Sequence, residues 1–317
     1  GAMSARRLPT RVAIGVTGTL VWIALALLLA WCAAAVWYDG PANRTLAAAL
    51  AAAVVVIALA LAWWVRPLHR AAAAVGAFAL LVVFWWTSIP PRNDRDWQPD
   101  VARNTTAEVD GDLLRLHDVR NFDYRSETDF TERWEDRTYH LAKLRGVDLY
   151  LSYWGSPMIA HTIMSWDFGD EGQLAISIET RKEKGEVYDA IRGFFRQYEL
   201  HYVVADERDV VRLRPNYRGE TTYVYRLQAS PERARAVLLD YLKTINALAK
   251  QPVWYNALTH NCTTTIRMHT RHTQENAPPF DWRILANGYA DQMLYERGAI
   301  DTSVPFAVLR ERANIDA

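Results

Sequence analysis

An α+β domain behind three membrane-spanning helices is the fold that this chain of 317 residues predicts. Three observations predict it. Residues 12–89 hold three long apolar runs without a charged side chain. A cluster of strand-like segments follows in the middle of the chain, and segments with helical spacing come after it.

The apolar runs extend from about Val12 to Tyr38, Thr45 to Val65 and Ala71 to Ile89. Each is near or above the roughly 20 residues needed to cross a bilayer. The first is too long for the apolar core of a signal peptide and has no convincing cleavage site, so it is expected to stay. Gly1-Ala2-Met3-Ser4 reads as an expression remnant. Arg6, Arg7 and Arg11 precede the first run, and Arg66, His69 and Arg70 join the second to the third. The loop Asp39 to Arg44 has one basic and one acidic residue. This asymmetry orients the N-terminal end toward the cytoplasm and everything after Pro90 outside it. Trp31, Trp37, Tyr38, Trp63, Trp64, Trp85 and Trp86 fit interfacial belts.

The 36 basic and 36 acidic residues balance, so no basic excess points to nucleic acid. Roughly 220 residues remain for one sizeable domain. The expected organisation is a remnant and cytoplasmic segment (1–11), a three-helix anchor (12–89), a linker leading into the domain (90–119) and the extracytoplasmic domain (120–317).

Within the domain, Val109–Val119 and His140–Tyr153 read as strands, and Asn121–Arg133 as polar turns. Ile159–Phe168 and Gln173–Arg181 flank Gly169-Asp170-Glu171-Gly172, a hairpin signal. Val187–Tyr198 has helical spacing. His201–Val204, Val210–Leu213 and Thr222–Leu227 read as strands. Ser230 as N-cap and Pro231 at the first helical position open a helix to about Ala249. Cys262–His272 reads as a helix ended by Pro278-Pro279, and Leu285–Arg297 as the last one.

Only two cysteines occur, Cys32 in the first apolar run and Cys262 in the external domain, and they cannot pair. A lone thiol in an oxidising compartment, at a helix start that favours thiolate, is a candidate nucleophile. Thiol catalysis needs a base, a group orienting it and donors for an oxyanion. His161 begins one strand of the proposed hairpin. Ser177 and Glu179 share one face of the other, and simple pairing puts Ile178 or Glu179 near His161. Asn261 or Asn256 offers a side-chain donor. Each has a structural alternative: Cys262 as a small core filler, His161 as a core histidine, Glu179 in an ion pair with Arg181 or Arg226, the asparagines as turn and cap residues. His260, His269 and His272 surround Cys262 without a second tight ligand pair, so no metal and no cofactor is expected. His269 and His272 are expected on a solvated helix face.

Ser177-Ile178-Glu179-Thr180-Arg181, His161 on the preceding strand, and Tyr255-Asn256 with Asn261-Cys262-Thr263-Thr264 resemble the periplasmic domain of Lnb-type lipoprotein N-acyltransferases. That domain is in turn similar to circularly permuted papain-like thiol enzymes of the NlpC type, in which His precedes Cys. The resemblance covers roughly residues 120–290. It implies Cys262 as nucleophile, His161 as base, Glu179 as the third residue, and Ser177, Arg181, Asn256 and Asn261 in binding or oxyanion roles. It implies a phospholipid as acyl donor and a diacylglyceryl-cysteine lipoprotein as acceptor. The membrane spans follow the thiol domain in the family's type enzymes and precede it here, which bears on how the acceptor is presented. A phospholipase or envelope cysteine peptidase would use the same pair with another acceptor. A lipid enzyme needs an apolar groove, which Trp154, Met158, Ile159 and Trp254 offer. An anchored scaffold, with Cys262 merely packed and Tyr217, Arg218 and Tyr223 lining the sheet, is the non-catalytic rival.

Overall fold

The computed structural model describes residues 7–274 and 279–316, with side chains from residue 16. The expected remnant and Pro278 lie outside the described residues. The chain divides into two compact units, Gly1–Pro90 with Phe195–Gln197, and Pro91–Phe194 with Tyr198–Ala317.

The first unit holds α1 (Arg7–Asp39), α2 (Arg44–Trp64) and α3 (Leu68–Thr87). All three are long and apolar enough to cross a membrane, over Val16–Asp39, Arg44–Trp64 and Leu68–Thr87. Their mutual contacts use small residues, including Ala47, Ala58, Ala71 and Ala79, which let helix backbones approach. Cys32 is buried among them with its thiol on the Ala79 carbonyl, 3.7 Å away.

The second unit is built on an eight-stranded sheet. Its strands are β1 (Thr106–Asp110), β2 (Leu113–Arg120), β5 (Trp134–His140), β6 (Gly146–Tyr153), β7 (Ala160–Asp167), β8 (Gln173–Arg181), β9 (Glu199–Ala205) and β10 (Thr221–Arg226). The order is β1-β2-β9-β8-β7-β6-β10, with β5 also on β2. Only the β2–β9 contact is parallel, and it is a single residue pair. A separate two-stranded ribbon pairs β3 (Asp123–Tyr124) with β4 (Phe130–Thr131). The expected linker 90–119 thus carries two strands of the main sheet.

The central β7–β8 hairpin forms where its alternation and glycines place it. Gly169 and Gly172 take φ of 64° and 90°, which L side chains adopt only under strain. The register pairs Ile163 with Ser177 and Asp167 with Gln173. Across the sheet lies α6 (Pro231–Lys250), capped by the Ser230 hydroxyl on the Arg233 N–H. Val237, Leu238, Tyr241, Leu242, Ile245 and Leu248 recur at helical spacing and bury one face. The Trp166 indole, fully buried, donates to the Ala234 carbonyl at 2.9 Å and locks helix to sheet. Next comes α7 (Cys262–His272), packed against β7, β8 and α6. Two short helices, α8 (Ala290–Glu296) and α9 (Phe306–Ala313), close the domain.

Three local readings are corrected. Val210–Leu213 is not a strand but belongs to two short helices, α4 (Glu207–Val210) and α5 (Leu213–Tyr217). Asp206 caps the first by accepting from the Arg208 N–H, a local bond that outweighs the β-branched propensity of the valines. Val187–Tyr198 is mostly irregular, with one turn at Arg192–Phe194. Val187, Ile191 and Phe194 remain exposed while Phe195 and Tyr198 are buried, so the apolar stripe is not buried as one face that would hold a helix. In Leu285–Arg297 only Ala290–Glu296 is α-helical.

Candidate active site

Cys262 is the first residue of α7. Asn261 caps the helix through a capping box: its side-chain oxygen accepts from the Thr264 N–H, and the Thr264 hydroxyl accepts from the Asn261 N–H. Asn261 also receives the Thr265 N–H on its carbonyl. The Cys262 and Thr263 N–H groups are the first-turn donors that this cap does not use.

His161 sits on β7, nearly buried at 7% exposure. Extending the hairpin register from Ile163–Ser177 places it opposite Glu179. Its Nε2 lies 2.6 Å from the Ser177 hydroxyl and 3.0 Å from Glu179 Oε1. The Ser177 hydroxyl donates to the same Glu179 oxygen at 2.7 Å. A carboxylate only accepts, so Nε2 carries the proton and the neutral ring keeps its lone pair on Nδ1. With Nε2 so engaged, Nδ1 is the nitrogen left to serve the thiol.

Glu179 has a second partner. The Arg214 guanidinium, from α5, reaches Glu179 Oε1 at 2.9 Å and Glu220 at 3.2 Å. Glu220 in turn accepts from the Ser152 hydroxyl at 2.7 Å. A continuous polar chain therefore runs from Glu220 through Arg214 and Glu179 to His161.

The electrostatics follow from these contacts. Burial pushes the Cys262 thiol up, but the hydrogen bond and charge of His161, the Thr263 hydroxyl and the Thr162 N–H outweigh it. The thiol is held at about 7, against an ordinary value of 9.0. Burial and the Arg214 charge push the His161 imidazole down; the Glu179 charge and the hydrogen bonds to Cys262 and Glu179 reverse this and leave it raised. Burial raises the Glu179 carboxyl, yet His161, Arg214 and Ser177 hold it well below the usual range, so it is an anion at neutral pH. A lowered thiol beside a raised imidazole is the electrostatic condition for a thiolate–imidazolium pair.

Cys262, His161 and Glu179 all line one cleft of about 990 Å³. Its walls include Trp154, Ile159, Leu258 and Leu285, each near half exposed, and its lining also carries Arg214, Arg218 and Glu220. Among the described residues, no group of three or more His, Cys, Asp or Glu side chains could hold a metal ion.

Residues 130–288 match the family model of the Lnb N-terminal periplasmic domain. The chain belongs to this family. No curated protein and no solved structure matches it. Three membrane helices followed by a periplasmic Lnb domain make it an inner-membrane protein with that domain in the periplasm.

The Lnb domain brings together Cys262, His161, Ser177 and Glu179, and leaves other expected site residues out. Arg181 shares the β8 face with Glu179 but lies farther along the strand. Its buried guanidinium donates to the carbonyls of Val101 and Ala102 and to Asn93, and stacks on Trp97. It is a structural clamp. Asn256 is a turn residue, its side-chain oxygen accepting from the N–H groups of Leu258 and Thr259. Asn261 lines the cleft, its side-chain oxygen engaged in the cap and one of its two amide N–H groups donated to the Ala257 carbonyl. Trp254 packs under Arg95 and bridges to Glu199, outside the cleft lining. His269 is fully buried, not solvated: α7 packs against both the sheet and α6, so His269 bonds both Tyr202 and Asp240, at 2.7 Å each.

Two residues of the site escaped the sequence. Arg214 lies just past the stretch read as strand, in α5, and its carboxylate partner is 35 residues away. Asn287 follows a segment of isolated turns, and its Nδ2 lies 3.8 Å from the Cys262 sulfur. Only the Asn287-Gly288 pair marks the place, and alone it signals no more than a turn.

Proposed function

We propose that this Lnb-family chain is a membrane-anchored thiol enzyme, papain-like with the base ahead of the nucleophile, that moves an acyl chain from a phospholipid to the α-amino group of a diacylglyceryl-cysteine lipoprotein. The observation that carries the reading is the Cys262 thiol, held at about 7 beside His161 at a helix start, in a cleft with apolar walls.

In the first half-reaction Nδ1 of His161 takes the thiol proton. The thiolate attacks the ester carbonyl of the lipid, and the carbonyl electron pair moves onto oxygen. The Cys262 and Thr263 N–H groups face that oxyanion at the helix start. Collapse expels the glyceryl oxygen, which takes the proton from His161 and leaves as lysophospholipid. A Cys262 thioester remains. In the second half-reaction the lipoprotein amine attacks the thioester, loses its proton to His161 and leaves as an amide, restoring the thiol. Glu179 holds the imidazole in the tautomer required and stabilises its cation. Membrane helices confine the enzyme to the surface that holds both substrates, so weak lipid affinity suffices.

Mass spectrometry of the full-length protein mixed with phospholipid tests this, with a synthetic diacylated lipopeptide added afterwards. A hydroxylamine-labile acyl adduct on Cys262 that moves to the lipopeptide amine is expected. An adduct that decays only to fatty acid replaces the transferase with a lipase. No adduct, and no effect of Cys262→Ser on any activity, removes the thiol mechanism.

A further inference from the structure

We infer that Asn287 is a positioning residue whose side-chain amide locks the strand bearing His161 to the helix bearing Cys262. The inference rests on Cys262 and His161 as a reacting pair, and on no particular substrate.

Pairing of β7 with β8 stops at Ile163–Ser177, short of the end of β7. Beyond that point one edge of β7 is open. Asn287 fills it as a neighbouring strand would: the Ala160 N–H donates to its Oδ1 at 2.9 Å, and its Nδ2 donates to the Ala160 carbonyl at 2.5 Å. The next N–H on the same edge, that of Thr162, is among the groups that hold the Cys262 thiol low. Nδ2 also donates to the Thr263 hydroxyl at 2.6 Å. Ala160 immediately precedes His161, and Thr263 immediately follows Cys262. One planar amide thus fixes the backbone beside the base and the first helical turn beside the nucleophile.

Neighbouring contacts leave this amide little freedom. Asn287 is 6% exposed. The Gly288 N–H donates to the Met158 carbonyl at 2.9 Å, and its own carbonyl accepts from the Tyr153 hydroxyl at 2.8 Å. A Cβ on Gly288 would stand 2.1 Å from the Pro157 carbonyl oxygen, so the loop approaches as closely as glycine permits. Cooperation between thiol and imidazole depends on sub-ångström placement, and a single misplaced support can cost about 100-fold in rate.

The molecule supplies its own control. Asn246, on α6, makes the same two-bond amide contact with Ala107 of β1, at 2.8 and 2.7 Å, and lies outside the cleft. Loss of either asparagine removes a two-bond tie to a strand, but only Asn287 also bonds Thr263 and touches the thiol's surroundings. The titratable and charged groups facing Cys262 are His161 from β7, Glu179 and its partner Arg214, Tyr188 and Tyr255 from the loops, and Tyr241 from α6.

The test is the pH dependence of iodoacetamide alkylation at Cys262, read on its own peptide by mass spectrometry, in the full-length protein. Thermal unfolding is measured beside it. Asn287→Ala is expected to move the alkylation midpoint up by about one pH unit and to slow alkylation near neutrality about five- to tenfold. Asn246→Ala is expected to lower the melting temperature comparably and leave the midpoint in place. If Asn287→Ala does not fold, Asn287→Ser carries the same expectation, since a hydroxyl cannot span Ala160 and Thr263 together. A folded Asn287 variant with the wild-type midpoint overturns the inference. So does an equal shift in Asn246→Ala, which would make the effect one of general stability. Because alkylation needs no substrate, either outcome is independent of whether the acyl donor is a phospholipid.

Discussion

Glu179 Oε1 receives three donors at once: His161 Nε2 at 3.0 Å, the Ser177 hydroxyl at 2.7 Å and the Arg214 guanidinium at 2.9 Å. The imidazole of His161 is therefore held by a carboxylate that is itself held, and the ring cannot rotate without breaking a buried network.

The thiol of Cys262 should titrate low. Above about pH 7 the sulfur is thiolate, held so by the neighbouring His161; below it the sulfur takes a proton and loses nucleophilicity. Alkylation should rise with pH through a midpoint near 7, well below the roughly 8.5 of a free cysteine. A midpoint at 8.5 or higher would remove the electrostatic basis for a nucleophile.

His161→Asn should return that midpoint toward the ordinary thiol range, because the charge and hydrogen bond that lower it are gone. Single-turnover acylation should fall by about 100- to 10,000-fold, the usual worth of a positioned general base. A loss below tenfold in a folded variant would assign the base to another group.

Glu179→Gln keeps the shape and removes the anion. The His161 imidazole should lose its main upward influence and fall, and the Cys262 midpoint should rise with it. Alkylation–pH curves for wild type and variant decide this; coincident curves would reduce Glu179 to a packing partner.

Arg214→Met leaves the buried Glu220 without its cation and Glu179 with His161 as its remaining ion-pair partner. Breaking such a pair typically costs about 3–5 kcal/mol, so urea unfolding should show a loss of that order. Arg214→Lys should recover part of it, having one point charge in place of a fork.

Arg181→Met separates scaffold from site. Three acceptors lose their buried donor, and stability should fall by about 2–4 kcal/mol in urea unfolding. The Cys262 alkylation midpoint should stay where it is. A shifted midpoint would return Arg181 to the site that the sequence assigned it.

What the sequence by itself determined is what short-range physics writes. Uncharged runs of membrane length specified the spans. Alternation around Gly169 and Gly172 specified the β7–β8 hairpin, and with it His161 near Ile178 or Glu179; the register that chose Glu179 came from the structure. The Asn261 cap specified the start of α7, and with it Cys262. These features depend on neighbours within a few residues, so periodicity and capping residues reveal them. Only the tertiary structure decided which polar groups meet. Period two puts Ser177, Glu179 and Arg181 on one face, but at about 3.3 Å per residue Arg181 stands roughly 13 Å along the strand from Ser177, among other partners. Arg214 and Asn287 enter the site from short, weakly patterned segments far away in the chain. Their place there depends on where β8 leaves β7 and α5 folds back, and no local spacing records such long-range packing.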